Sequence, residues 1–154
     1  MKNKFKYIFI IIFLNLIICS NISSEEIFNF NVSEVEITQK GNLFKGFNGG
    51  EAFTNDGVSI TAENFEYNKI LAILIANGNV KLKDTKKNIN INAEEISYLK
   101  NQEKIIANDN VKFIDSKKDI IINAEEISYL KNQEKQKLVF HQYIQKIDHN
   151  NNYY

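Results

Sequence analysis

From Ile27 onward, apolar and polar residues alternate with a period of two rather than 3.6. Ile105, Ala107, Val111 and Phe113 share one parity, while Asn108, Asn110 and Lys112 take the other. Leu74, Ala76, Val80 and Leu82 stand in the same way against Asn77, Asn79 and Lys81. Such alternation predicts strands with one buried and one wet face. Ten residues of strand extend roughly 33 Å, so these strands are long. A second type of segment changes phase midway. Ile89, Ile91 and Ala93 share a parity, and the apolar set then moves to Ile96 and Tyr98. Ile122, Ala124, Ile127 and Tyr129 repeat the slip, as do Val58, Ile60, Ala62, Phe65 and Tyr67. A one-residue slip exchanges the faces of a strand, so a bulge or bend at the Ala-Glu pair is needed to restore a common interior. The alternative over 93–104 is a helix, which Glu94, Glu95, Lys100 and Lys104 would suit, but the corresponding Phe65-Glu66-Tyr67-Asn68 favours strand and turn.

The pattern recurs every 31 residues. INAEEISYLKNQEK at 91–104 is repeated without change at 122–135, and a looser copy starts at Ile60. Between the copies, residues 76–82 (ANGNVKL) answer to 107–113 (ANDNVKF), and Asp84 answers to Asp115. A fixed period of this size marks one supersecondary unit that buries its apolar face only by stacking on its neighbours. Polar connectors fall at 84–88, 99–104 and 115–119, and Asp56-Gly57 reads as a type I′ hairpin turn. Gly78, whose cognate is Asp109, reads as a kink within a continuing strand. Each period is then an antiparallel hairpin with limbs of about 15 residues. The expected fold is all-β: an antiparallel sandwich or jellyroll made of repeated hairpins, with sheet edges open at both ends. Its expected interior is Val58, Ile60, Ala62, Val80, Leu82, Ile89, Ile91, Ala93, Ala107, Val111, Phe113, Ile120, Ile122 and Ala124. By composition this is an ordinary dry core; the functional alternative is an apolar trough between sheets that do not close.

Composition narrows the function. The 154 residues suit one domain, with a formal net charge of zero and no Pro or Trp. The basic residues are all Lys, without a basic block, so no nucleic-acid partner is expected. Lys2, Lys4 and Lys6 precede an apolar run over 7–18, and small or polar residues follow over 19–24. This is the layout of a secretory signal peptide over 1–23, with a retained anchor as the alternative. Cys19, the one cysteine, excludes an internal disulfide, and its flank matches a lipoprotein box only at Leu16. His141 and His149 lie in the off-pattern end of the chain and suggest no metal site. Glu94-Glu95 and Glu125-Glu126 alternate across a strand and do not form an acid–base pair. No catalytic residue and no cofactor are expected. Residues 24–140 are read as the domain and 141–154 as an irregular polar tail.

The units Ser59-Ile60-Thr61-Ala62-Glu63-Asn64-Phe65-Glu66-Tyr67 and 76–82 resemble the repeat of the OstA-like, organic-solvent-tolerance family of lipopolysaccharide-transport proteins. Residues 30–57, FNVSEVEITQKGNLFKGFNGGEAFTNDG, are most similar to the N-terminal periplasmic domain of the LptD branch. The likeness spans 26–135 and departs from that branch in that no barrel-type strands follow residue 135. It implies a V-shaped β-jellyroll in the periplasm, associated with the outer membrane, that binds lipopolysaccharide by its lipid A acyl chains. It also implies docking to other OstA-like jellyrolls by β-strand addition. The residues expected to line the lipid trough are Ile60, Ala62, Val80, Leu82, Ile89, Ile91, Ala93, Ala107, Val111, Phe113, Ile122 and Ala124. The competing reading is a structural β-solenoid with a filled core and no lipid ligand.

Overall fold

The computed structural model describes residues 28–131 and, as backbone alone, 138–141 and 145–146. The signal segment, Cys19 and His149 lie outside the described residues. Ten strands follow one another as an antiparallel meander: β1 (Asn29–Thr38), β2 (Leu43–Phe53), β3 (Val58–Ala62), β4 (Asn64–Asn68), β5 (Ile73–Asp84), β6 (Ile89–Leu99), β7 (Lys104–Asp115), β8 (Ile120–Leu130), β9 (Leu138–His141) and β10 (Gln145–Lys146). The order is β1-β2-β3-β5-β6-β7-β8-β10, with β4 between β2 and β5 and β9 on β8. The helix alternative over 93–104 is excluded, since β6 runs to Leu99 and only a 3-10 turn, Lys100–Gln102, follows. β10 lies within the stretch read as a tail.

Every long strand is interrupted at the same height. The ladder slips between Asn77 and Val80, between Asn92 and Glu95, between Asn108 and Val111, and between Val32 and Glu34. At the β5–β6 slip, Gly78 and Asn79 together oppose Glu94 alone. Two residues against one define a bulge, which bends the strand and turns its side chains. The phase change noted at Ala93-Glu94 is the consequence. Ile89, Ile91 and Ala93 point inward before the bend, and Ile96 and Tyr98 after it, all at most 6% exposed. β3 and β4 are the two halves of one such bent strand, parted at Glu63.

The bend has its own local chemistry. The kink residues hold positive φ: 83° at Gly78 and 47° at Asn79, then 62° at Asp109 and 53° at Asn110 one period later. Glu63 N–H is shared between the carbonyls of Asn77 and Gly78, and Asn79 Nδ2 donates to Glu63 Oε1 at 2.7 Å. A Cβ on Gly78 would lie 2.6 Å from Glu63 Oε2, and φ there is 83°, so this copy favours glycine. At the Asp56-Gly57 turn the expected type I′ geometry is not found. Only Gly57 is left-handed, at φ 93°, and Gly57 N–H closes on the Thr54 carbonyl. This is an ordinary turn followed by a glycine, the longer hairpin solution. The reason lies in Asp56, whose carboxylate is held by Thr54 Oγ1 and by two lysines.

The bends divide the meander into two arms. One comprises 29–32, 50–53, 58–62, 80–84, 89–93, 111–115 and 120–124; the other comprises 34–38, 43–47, 64–68, 73–77, 95–99, 104–108 and 126–130. They face each other over one core. Phe113 on the first arm packs on Tyr129 of the second, with ring centroids 5.7 Å apart. The all-β jellyroll expected from periodicity is the fold observed.

Candidate functional site

The residues expected to line a trough all lie on the inner faces of the arms, where period-two alternation puts them. Eleven of the twelve are at most 8% exposed, and Ala124 packs against the same cluster half-buried. Over β3 to β8 the space between the arms is therefore filled by the protein's own side chains. Of the twelve, only Ala107 belongs to the second arm. That arm's inner face (Phe65, Tyr67, Leu74, Ile96, Tyr98, Ile105, Ile127 and Tyr129) is equally buried and was missing from the expected set. The phase slip was its signal: residues on either side of a bulge face the same interior.

The filling stops at the β1 end. A cavity of about 460 Å³ opens there between the arms, lined by Phe28, Asn29, Phe30, Ile37, Gly41, Phe44, Phe53 and Lys69. Phe30 from the first arm stacks on Phe44 from the second at 4.0 Å, forming a floor that belongs also to the core. Phe28, only 2% exposed, stands edge-on against Tyr67 at 5.1 Å and Tyr98 at 5.6 Å. Beyond this floor the apolar side chains of the edge are left bare: Val35 is 51% exposed, Ile37 61% and Phe53 38%. Among the described residues nothing pairs with the outer side of β1. Gly50 allows β1 to lie so close, because a Cβ there would fall 2.5 Å from the Asn31 carbonyl oxygen.

A second, polar site was not anticipated. Lys131 is 4% exposed, and its Nζ lies 3.1 Å from Asp56 Oδ2, 3.4 Å from Asp84 Oδ2 and 3.6 Å from Glu103 Oε2. Lys100 Nζ donates to Asp56 Oδ2 at 3.0 Å and to Glu103 Oε1 at 2.6 Å. Tyr98 Oη donates to Glu103 at 2.9 Å and accepts from both lysines. The Asp84 contact is an ion pair without hydrogen-bond geometry. Burial alone would raise the Asp56 and Glu103 carboxyls. Hydrogen bonds outweigh it, from Thr54, Lys100 and Lys131 on Asp56 and from Lys100 and Tyr98 on Glu103, and both are held below the usual carboxylate range. Lys100, which burial alone would lower, is raised by Glu103 and Asp56. Tyr98 is pushed far up by burial and by the Glu103 carboxylate. The signal for this cluster lay in the repeat itself, since Lys100 and Lys131 are cognate positions. Among the described residues no three His, Cys, Asp or Glu side chains are grouped to hold a metal ion.

No protein-family profile and no curated protein matches the sequence. The fold does match a solved structure. LptH of Pseudomonas aeruginosa, described as the LptA-homologous periplasmic component of the conserved lipopolysaccharide transport device, superposes with a TM-score of 0.59. The match covers 75% of this chain and 95% of that one at 12% identity. The chain has the fold of LptH, a β-jellyroll of bent strands.

Proposed function

We propose that this chain is a periplasmic carrier domain of lipopolysaccharide transport that shelters the acyl chains of lipid A between its arms. It docks to like domains through the outer edge of β1 and carries no catalytic step. The observation that supports it most is the open β1 end, where an aromatic-walled cavity continues a core whose inner-face residues over β3 to β7 are buried. At about 0.8 kcal/mol per buried methylene, a dozen methylenes crossing water uncovered would cost on the order of 10 kcal/mol, so a carrier must offer apolar cover. Bare Val35 and Ile37 on an edge strand are an aggregation hazard unless another strand or a ligand covers them. The fold shared with LptH supports the same reading. So does the leader-like start of the chain, which suits export through the inner membrane. The likeness of 30–57 to the LptD branch favours a place at the outer-membrane end of such a bridge.

The twelve inner-face residues enter this proposal as the apolar walls that a chain admitted from the β1 end would meet. Their burial supports the second reading as well: a structural jellyroll with a filled core that acts through its edges alone. A photoreactive amino acid at Ile37 or Phe53, with Lys112 on the outer face as control, separates the two. Crosslinks to lipid A from the first two sites and not the third support the carrier. Crosslinks only to protein, with none to lipid, leave the structural module.

A further inference from the structure

The cluster around Lys131 holds a position in the fold that shelter for acyl chains does not require. Asp56 and Asp84 stand at strand ends of the first arm, and Lys100, Glu103 and Lys131 at strand ends of the second. The bends lie at the other ends of the same half-strands. The ion pairs Lys100–Asp56, Lys131–Asp56 and Lys131–Asp84 therefore join the two arms on the side opposite the bends. Toward β1 a different closure takes over, the Phe28 ring set edge-on against Tyr67 and Tyr98. Tyr98 belongs to both, since its ring meets Phe28 while its hydroxyl meets Lys100, Lys131 and Glu103.

We propose that Asp56, Asp84, Lys100, Glu103 and Lys131 form a clasp that shuts the side of the sandwich, so that a flexible apolar chain reaches the interior from the β1 end, past Phe28, and not through the side. The route rests on the carrier reading; the clasp itself does not. Two arms hinged at bulges are held apart or together by what joins their far ends. An apolar seam would slide, whereas charges removed from water are satisfied in one arrangement and are costly to separate. Parting the arms at the side separates Asp56 and Asp84 from Lys100 and Lys131 and leaves the buried Asp84 carboxylate without its cation. Displacing Phe28 moves one ring beside an existing cavity of about 460 Å³. The end route is the easier one.

The test uses the full chain in a Cys19→Ser background and a fluorescent undecanoic acid whose emission rises on burial. Asn55→Cys with Asn101→Cys, joined by a short bis-maleimide, locks the arms with every clasp residue in place. The locked protein is expected to take up the probe at the unlocked rate, and loss of uptake on locking would overturn the proposal. Lys131→Met and Asp56→Asn loosen the clasp. Each should speed amide exchange at 54–57 and 99–103 and add a second route, raising the uptake rate roughly fivefold, while Lys131→Arg restores both. Unchanged exchange at those tips in folded Lys131→Met and Asp56→Asn would refute the clasp even if nothing binds. If the unmodified chain takes up no probe but the tips still loosen, the carrier reading fails and the clasp stands.

Discussion

Lys100 and Lys131 stand one repeat apart and meet on a single atom, Asp56 Oδ2, at 3.0 and 3.1 Å. Two cognate side chains thus share an acceptor that the repeat supplies only once, and the cluster's stability is tied to the charge on that carboxylate. Asp56 and Glu103 have folded values below their ordinary 3.8 and 4.5. Their contribution is complete above those ordinary values and is lost as pH falls toward the depressed folded ones. Lys100 and Tyr98 are raised, so their share is present below their ordinary 10.5 and 10.0 and is lost as pH climbs beyond. The melting temperature is expected to be level from about pH 5 to 9 and to fall on both sides. Asp56→Asn should lower the plateau and flatten the acid limb; an unaltered acid limb would exclude Asp56 as its source.

Removing the buried cation should cost more than removing a surface one. Lys131→Ala leaves Asp84 without its cation while Glu103 keeps Lys100 and Tyr98, a loss on the order of 3 kcal/mol for a buried pair. Lys117→Ala, on an exposed turn, should change stability by less than about 0.5 kcal/mol. Urea denaturation of the two variants gives the comparison directly.

The inner-face side chains of both arms are buried, and substitutions there act on folding before they act on any ligand. Phe113 is fully buried against Tyr129, and Phe113→Ala should cost about 3–5 kcal/mol. Val111→Asp places an unpaired charge beside it and should abolish the folded state, seen as loss of the cooperative urea transition.

At the open end the expectation reverses. Ile37 is 61% exposed, so Ile37→Asp should leave stability within about 0.5 kcal/mol. If the cavity takes acyl chains, the same change should weaken probe binding roughly tenfold, the value of about 1.4 kcal/mol of lost apolar contact. Equal affinity in the two proteins would remove Ile37 from the site.

The two copies of the bend differ in what they tolerate. Gly78→Ala meets Glu63 at a positive φ and should cost about 1–2 kcal/mol. Asp109→Gly, at φ 62°, relieves the same conformation and should be neutral or stabilising by up to about 1 kcal/mol. Thermal denaturation of the pair checks both signs.

The fold was legible because a strand's inward residues recur at every second position and the 31-residue period repeats that pattern. Even the bulge was announced, by the passage from Ala93 to Ile96. The second arm of the core went unassigned because the apolar positions after the slip were not carried into the same interior. The Asp56 turn was misread because the dipeptide carries the preference of an isolated hairpin, whereas the aspartate is recruited by lysines 44 and 75 residues away. The clasp itself is nearly silent in the sequence, the cognate placing of Lys100 and Lys131 being the one hint. Its five charges lie at strand ends and in connectors, where they read as solvated. Only the pairing of the arms brings them together.

The identity of 91–104 and 122–135 has one more consequence. β5 finds the same partner sequence in most of β8 as in β6, and nothing local tells the chain which to choose. Skipping a storey extrudes 31 residues as a loop, whose length-dependent closure entropy is only about 3 kcal/mol. The penalty that enforces the proper order is then the forfeited layer of side chains, not any mismatch of register. A stack of this kind can lengthen or shorten by whole storeys while its geometry stays the same.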